Sequence, residues 1–324
     1  MTDFNRLAEE IIAGRRIRDK EECSDMIRCD LEELTRGADR IREHFRGNKI
    51  DLCSIINGRS GRCSEDCKFC AQSKINHTGI EEYSFLPVEE IVADCGKYAA
   101  KGVDRYSIVT AGRTLEGKDL DRAVSAYSEM HRRYPGMKLC GSHGLMTKEA
   151  FQRLKDAGVE TIHCNIESSP SYFPKICSTH TFEEKRKAIE AAKSVGLKIC
   201  SGGIIGMGEG WEDRIEMALT TAELGACSIP INTLIPIPGT PFQELEQVKR
   251  EDVLRTVSIF RYVNPEADIR IAAGRFLFPN GGSQLFKAGA SATITGDMLT
   301  TTGNNTEEDR KMLTDMGFEL AAPL

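Results

Sequence analysis

Three cysteines stand within eight residues of one another in the segment GRSGRCSEDCKFCAQS: Cys63, Cys67 and Cys70, spaced C-x-x-x-C-x-x-C on a stretch that contains glycine. Three thiolates on one short loop can take three corners of an iron-sulfur cubane and leave the fourth iron open to a small molecule. A structural zinc site would close four ligands around its ion, and the only further Cys or His near this loop is His77. An electron-transfer ferredoxin would add a fourth cysteine. Three free thiols that merely pack are the plainest alternative.

The elements around the trio decide where it is displayed. The middle of the chain repeats one unit, an amphipathic helix, a glycine, then a short apolar run rich in β-branched residues, as in AAKGVDRYSIV, LKDAGVETIHC, AAKSVGLKICS, AELGACSIPIN and FKAGASATIT. Gly102, Gly158, Gly196, Gly225 and Gly289 suit the left-handed cap that ends a helix, and the apolar run after each reads as a buried strand. With DLCSIIN, MKLCGSHG and DIRIAAGR, eight strands are expected near 51–57, 105–111, 138–144, 161–167, 198–205, 228–234, 268–274 and 291–295. Parallel strands joined by helices must be covered on both faces, and eight of them make a (βα)8 TIM-type barrel, with an open doubly wound sheet as the structural alternative. Residues 1–47 read as two amphipathic helices ahead of the barrel, and 48–324 as one catalytic domain. The trio then comes after the first strand, at the face where barrel active sites sit.

Bulk properties narrow the partners. The 324 residues, 40% hydrophobic, suffice for one large core, and a net charge of -6 with basic residues scattered along helices argues against nucleic acid. No apolar run approaches the roughly 18 residues that span a bilayer, and Met1 to Arg18 mixes charge with apolar positions, so a cytoplasmic protein without a membrane partner is expected. Twelve cysteines in so large a chain point to thiols or metal ligands more than to a disulfide scaffold.

With Phe69 before its last cysteine, the loop resembles that of the radical S-adenosylmethionine superfamily. This resemblance implies a [4Fe-4S] cluster on Cys63, Cys67 and Cys70, with the amino and carboxylate groups of S-adenosylmethionine chelating the open iron. An electron then cleaves the sulfonium to a 5'-deoxyadenosyl radical. Further matches are TAGR, whose Thr110, Ala111 and Gly112 stand where the superfamily holds the methionine amino group, and GGIIGMGE, which fits G-x-I-x-G-x-x-E through Gly202, Ile204, Gly206 and Glu209. Asn165 and Glu167 end the fourth strand on one face, and the carboxylate suits a ribose hydroxyl. Taken singly, the glycines could be ordinary turns and Glu167 a solvated strand end.

From about Cys53 to Phe318 the chain resembles the biotin synthase family more closely, through CSEDCKFCAQS, KICSGGIIGMGE, PINTLIPIPGTP, DIRIAAGR and MLTTTGNNTEEDRKMLTDMGF. The implied reaction inserts sulfur between two unactivated carbons of dethiobiotin, for which a saturated C–H bond offers no acidic proton and a carbon radical is the practical abstractor. In that family an auxiliary cluster deep in the barrel, by default [2Fe-2S], is held by three cysteines and an arginine. Cys140, Cys200 and Arg270 match, whereas Ser107 stands at the remaining cysteine position. Alternation of side chains along a strand puts Cys53 in phase with Ile55 and Asn57, facing inward, and makes it the preferred third thiolate, with Cys177 next. Cys164 is out of phase with Asn165 and Glu167. A moved ligand suggests a four-iron auxiliary cluster carrying an extra sulfide.

Asn232, and Asn165 beside it, are placed by the same resemblance on the cyclic urea of the substrate, while Arg270 is either a cluster ligand or one half of a buried ion pair. Arg105 and Ser228 share the inward phase, and His143 and His163 are expected in core or hydrogen-bonding roles. Cys23, Cys29, Cys95 and Cys227 are expected to pack as small hydrophobes. The family further implies a low-potential electron donor such as flavodoxin or ferredoxin, and a homodimer. The rival readings are a hydrogenase maturase or methylornithine synthase on the same barrel, and a non-catalytic iron-sulfur or zinc carrier.

Overall fold

The computed structural model describes residues 2–296, 299 and 303–324. Four residues of the MLTTTGNN motif, Met298 and Thr300 to Thr302, lie outside them. In chain order the elements are α1 (Phe4–Ile12), a 3-10 turn (Glu21–Ile27), α2 (Leu31–Arg46), β1 (Asp51–Arg59), α3 (Val88–Ala99), β2 (Arg105–Thr110), α4 (Gly117–Arg133), β3 (Lys138–Ser142), α5 (Lys148–Asp156), β4 (Val159–His163), α6 (Phe182–Ser194), β5 (Lys198–Cys200), β6 (Gly203–Ile205), α7 (Trp211–Glu223), β7 (Ser228–Thr233), α8 (Arg250–Val263), β8 (Asp268–Ile271), α9 (Ser283–Lys287), β9 (Ala292–Ile294) and α10 (Thr306–Asp315). The five glycines of the repeated unit all take the left-handed conformation that ends their helices, with φ between 66° and 106°.

All strand pairs are parallel, in the order β5-β4-β3-β2-β1-β9-β8-β7-β6, and a further β5–β7 pairing closes the ring at Cys200 and Ser228. The sheet is therefore a closed eight-stranded (βα)8 barrel, and the open-sheet alternative falls away. One expected strand is split. The run 198–205 breaks at Ser201 and Gly202, where a Cβ on Gly202 would lie 2.0 Å from the carbonyl oxygen of Pro230. Only glycine lets the neighbouring backbone approach so closely, and beyond the break β6 pairs with β7 while Glu167 bridges to Gly203. The fourth strand ends at His163 instead of Glu167, because Glu167 turns with φ 67°. Cys23 and Cys95 are buried as small hydrophobes, whereas Cys227, at the turn before β7, is exposed and does not pack as expected.

The N-terminal segment packs on the outside of the barrel against α8: the Tyr262 hydroxyl donates to the Phe4 carbonyl at 3.0 Å, and the rings of Phe4 and Tyr262 meet edge to face. At the other end of the chain, α10 is tied to the barrel by a buried bidentate pair, with Arg275 donating to the two Asp309 oxygens at 2.5 and 3.0 Å and to Thr293 Oγ1 at 3.1 Å. Both side chains are about 2% exposed, so removing the carboxylate strands a guanidinium away from water. Asp309→Ala is expected to cost about 3–5 kcal/mol of unfolding free energy, read from the urea midpoint of the metal-free chain; an unchanged midpoint would show the pair to be dispensable.

Candidate active site

The loop after β1 is built by its own backbone. The Cys63 N–H donates to the Gln72 carbonyl, the Lys74 N–H to the Cys63 carbonyl, and the Cys70 N–H to the Cys67 carbonyl, at 2.9–3.0 Å. Asn76 Nδ2 bridges the carbonyls of Cys67 and Cys70 at 3.2 and 2.8 Å. With its polar groups so occupied, the loop leaves Cys63, Cys67 and Cys70 half-buried at the mouth of a cavity of about 440 Å³ inside the barrel.

The cavity wall also carries Phe69, Thr110, Ala111, Gly112, Asn165, Glu167, Ile204 and Asn232. Asn165 Oδ1 accepts from the Gly202 N–H at 3.0 Å, and its Nδ2 donates to Glu167 at 3.3 Å. Asn232 donates to the Gly203 carbonyl at 3.2 Å and accepts from the Ala273 N–H at 3.3 Å, so part of its amide holds the strands together. Gly206, whose φ is 95°, donates its N–H to both Glu209 oxygens at 2.9 and 3.0 Å. Glu209 in turn accepts from Arg214 at 2.8 Å, and this buried pair shapes the turn from within.

Deeper in the same cavity lie Cys53, Cys140, Cys200, Arg105, Ser107 and Arg270. Arg105 donates to the Cys140 sulfur at 3.3 Å, His163 Nδ1 is 3.5 Å from the Cys200 sulfur, and Arg270 Nε donates to Ser228 at 3.2 Å. Cys53 therefore faces the interior, as strand phase predicts. Cys177 does not: it sits at the rim, with its sulfur 3.8 Å from that of Cys67. Cys164 is buried in the core cluster yet also reaches the cavity wall.

The charges at this level are unbalanced. Asp51 is shared by Arg270 at 2.6 Å, Arg105 at 3.4 Å and Lys138 at 3.4 Å. Burial opposes ionisation of Asp51, but Arg270 and then Arg105 hold its carboxyl below the usual range. Burial likewise pushes the Cys53 thiol up to about 12 and raises those of Cys140 and Cys200, while the arginines pull each back toward the thiolate. Three cations around one carboxylate are suited to receive anionic sulfur, which is the electrostatic demand of a cluster held by thiolates. A single zinc ion fits neither cysteine trio: tetrahedral zinc draws thiolate sulfurs to about 3.8 Å of one another, and among the described residues neither trio is gathered within 4.8 Å.

Lys185 and Asp51 are among the residues at the cavity that had no place in the sequence-based expectations. Lys185 is buried on α6 with Nζ 3.9 Å from Glu167, and it belongs to the stripe Lys185, Ala188, Ile189, Ala192, so a lysine in an apolar stripe was the available signal. Asp51 gave no such signal, since its partners Arg105, Lys138 and Arg270 come from three other strands.

Comparison with known proteins agrees with this geometry. Residues 57–220 match the radical SAM superfamily, and residues 230–319 match the biotin and thiamin synthesis associated domain. A barrel of this kind with the cysteine loop after β1 defines a radical S-adenosylmethionine enzyme. The chain is 56% identical to the biotin synthase of Alkaliphilus metalliredigens over 318 residues, covering 98% of this chain and all of that one, and 53% identical to that of Clostridium beijerinckii at the same coverage. It belongs to the biotin synthase family. In fold it resembles methylornithine synthase, with a TM-score of 0.85 over 98% of both chains at 20% identity. The FeFe-hydrogenase maturase of Carboxydothermus hydrogenoformans superposes with a TM-score of 0.81, at 16% identity over 97% of this chain and 78% of that one.

Thr110 is aimed by a buried histidine. Tyr127 donates its hydroxyl proton to the Cys140 carbonyl at 2.8 Å, so it accepts from His143 Nε2 at 2.9 Å, leaving Nδ1 to accept from the Thr110 hydroxyl at 3.0 Å. Burial away from water, with the Arg59 charge adding to it, disfavours the protonated ring and depresses its pKa to about 3. Because the unfolded histidine binds a proton near pH 6.5, this contribution is whole above that value and is lost as pH falls toward the folded value. Between about pH 7.5 and about pH 5 the metal-free chain should lose on the order of 2 kcal/mol through this residue. Urea titrations of wild type and His143→Gln at both pH values check it, and equal pH slopes in the two proteins would refute it.

Proposed function

We propose that this enzyme inserts sulfur between two unactivated carbons of dethiobiotin to form the thiophane ring of biotin. The observation that carries the reading is the two-level cavity, with a cysteine trio at its mouth and Cys53, Cys140, Cys200 and Arg270 at its base, in a chain so similar to curated biotin synthases. When bound, the [4Fe-4S] cluster supplies the electron that cleaves S-adenosylmethionine to a carbon radical, and the auxiliary cluster supplies the sulfur.

This chain's residues bind, orient and exclude water. Cys63, Cys67 and Cys70 hold the [4Fe-4S] cluster beside Phe69. Thr110, Ala111 and Gly112 receive the methionine end of the cofactor, Glu167 its ribose and Ile204 its adenine, with Lys185 Nζ 3.9 Å from the Glu167 carboxylate. Between the levels, Ile55, Val109, Leu234, Ile235, Ala272 and Ile294 form an apolar wall that suits a saturated chain. Asn232 and Asn165 retain amide capacity for the cyclic urea, since an amide offers two donors and two acceptor lone pairs and each uses only part of them. Arg270 stands beside the auxiliary cluster, its charge shared with Asp51.

We extend this assignment to a four-iron auxiliary cluster with an extra sulfide on Cys53, Cys140 and Cys200, to Arg270 as its fourth ligand, and to a flavodoxin or ferredoxin as reductant. Residues 48–324 are taken as one catalytic unit carrying 1–47 as an extension, and the enzyme as a cytoplasmic homodimer. Among the described residues no helix is long and apolar enough to cross a membrane.

Anaerobic reconstitution followed by one turnover with dethiobiotin should yield biotin together with 5'-deoxyadenosine. Accumulation of 5'-deoxyadenosine without biotin would assign a different substrate. Cys53→Ala should lose the auxiliary iron seen by Mössbauer spectroscopy while keeping the [4Fe-4S] signal; a plain two-iron auxiliary signal unaffected by the substitution would overturn the ligand set.

A further inference from the structure

Cys177 and His180, on the loop after β4, have no part in sulfur insertion, yet the fold builds that loop directly against the cysteine loop. Asp66 accepts from the backbone N–H groups of Ser178 at 2.8 Å and Thr179 at 3.1 Å, its own N–H donates to Thr179 Oγ1 at 3.1 Å, and the Lys68 N–H donates to the Ile176 carbonyl at 2.9 Å. These bonds set the Cys177 sulfur 3.8 Å from that of Cys67. Among the described residues, Cys67, Cys177 and His180 are the one group of three Cys, His, Asp or Glu whose ligand atoms all lie within 4.8 Å of one another.

The distances suit a tetrahedral ion. With bonds of about 2.3 Å to sulfur and about 2.0 Å to nitrogen, two thiolates on one zinc ion stand about 3.8 Å apart and a thiolate and an imidazole about 3.5 Å apart. The Cys177 sulfur lies 3.2 Å from His180 Nδ1 and 3.9 Å from Nε2, and Nδ1 also meets Glu65 Oε2 at 2.6 Å. Glu65 is itself buried and paired with Arg113 at 3.0 Å, so it fixes Nδ1 as the protonated nitrogen and leaves the Nε2 lone pair for a ligand bond. A carboxylate behind the histidine is the support that metal-bound imidazoles ordinarily have. Phe173 covers the ring edge-on at 5.6 Å and excludes water from that side.

We propose that Cys67, Cys177 and His180 form a mononuclear site for a borderline-soft divalent ion, Zn2+ or Fe2+, in the chain before its cluster is assembled. Two thiolates and one imidazole leave a fourth position for water. Binding releases whatever protons the two sulfurs and the ligating imidazole nitrogen carry and involves no change of oxidation state. Since Cys67 serves both sites, the mononuclear ion and the [4Fe-4S] cluster exclude each other. Zinc, which binds more tightly than ferrous iron to such ligands, then blocks cluster assembly until it is withdrawn.

The test uses the full-length, reduced, cluster-free chain titrated with Co2+ alone. One equivalent should give a sulfur-to-cobalt charge-transfer band and the visible bands of a tetrahedral ion. Cys177→Ser and His180→Gln should each abolish that spectrum, while Cys63→Ala and Cys70→Ala should keep it. Glu65→Gln should keep its shape and weaken binding by about 10- to 100-fold. A spectrum that survives both Cys177→Ser and His180→Gln, or one that vanishes in Cys63→Ala, would overturn the site; circular dichroism of each variant separates lost ligation from lost folding.

A second measurement adds one equivalent of Zn2+ before iron and sulfide. Wild type should then fail to take up the loop cluster by iron analysis and absorbance, and Cys177→Ala should still take it up. Normal uptake by zinc-loaded wild type would overturn the shared ligand. Only this second arm rests on Cys67 as a cluster ligand, so its failure is distinguishable from failure of the site itself.

Discussion

Three cations converge on one carboxylate in the floor of the barrel, and much of the interior is arranged around that imbalance. Arg105, Lys138 and Arg270 all reach Asp51, from three strands that are not its own. A buried cation is costly when its partner is missing, and although Lys138 reaches solvent, one carboxylate cannot offset both Arg105 and Arg270. The deficit is met in part by carbonyls, since Arg270 also donates to those of Asp51 and Thr293 at 3.1–3.2 Å, and in part by the Cys140 sulfur that accepts from Arg105. The remaining field favours thiolates in a place where burial alone would keep thiols protonated. Sulfur ligands and positive charge thus stabilise each other there, and neither is well accommodated without the other.

A barrel interior is ordinarily filled by layers of side chains, whereas this one keeps a cavity of about 440 Å³ open. Small or polar residues, Ser107, Cys140, Cys200 and Ser228, occupy inward positions on β2, β3, β5 and β7, while the large apolar residues of those strands, Tyr106, Leu139, Ile199 and Ile229, point outward and are completely or nearly buried under the helices. The core that holds the fold together is therefore the layer between strands and helices, and the cavity is left for ligands. Breaking the fifth strand at Gly202 serves the same end, since it frees Asn165 to hold the Gly202 N–H and turns Glu167 toward the cavity.

Much of this is legible in the chain because it rests on local rules. Glycines after amphipathic helices mark the five caps, alternation places Cys53 inward, and the order of strand and helix gives the barrel. What escapes is long-range. The break in the fifth strand depends on how closely Pro230 of β7 approaches Gly202, and the position of Cys177 depends on Asp66 gripping a loop more than a hundred residues away. The partner of the Gly206 N–H escapes for a related reason: a motif fixes residue types but not which group each N–H meets, here Glu209.

The register of β1 and β2 gives physical content to the ligand set proposed above. Ser107, at the position where the family resemblance expects a cysteine, pairs with Ile55, whereas Cys53 pairs with Arg105. Moving a thiolate from position 107 to position 53 therefore shifts it by one strand and by two residues toward the base, roughly 8 Å in all for a strand spacing near 4.8 Å and a rise near 3.3 Å per residue. Cys140 pairs across from Ser107, one strand away, so a thiolate at 107 would stand beside Cys140, while one at 53 stands two strands off and lower. A ligand set spread that widely encloses more space than a compact two-iron rhomb fills. Arg105 occupies the ground between Cys53 and Cys140, and its guanidinium donates to Cys140 and approaches Asp51 on the strand of Cys53. A larger and more anionic cluster is what both the added room and the added charge would accommodate, which is the physical basis for expecting four irons and an extra sulfide at this level.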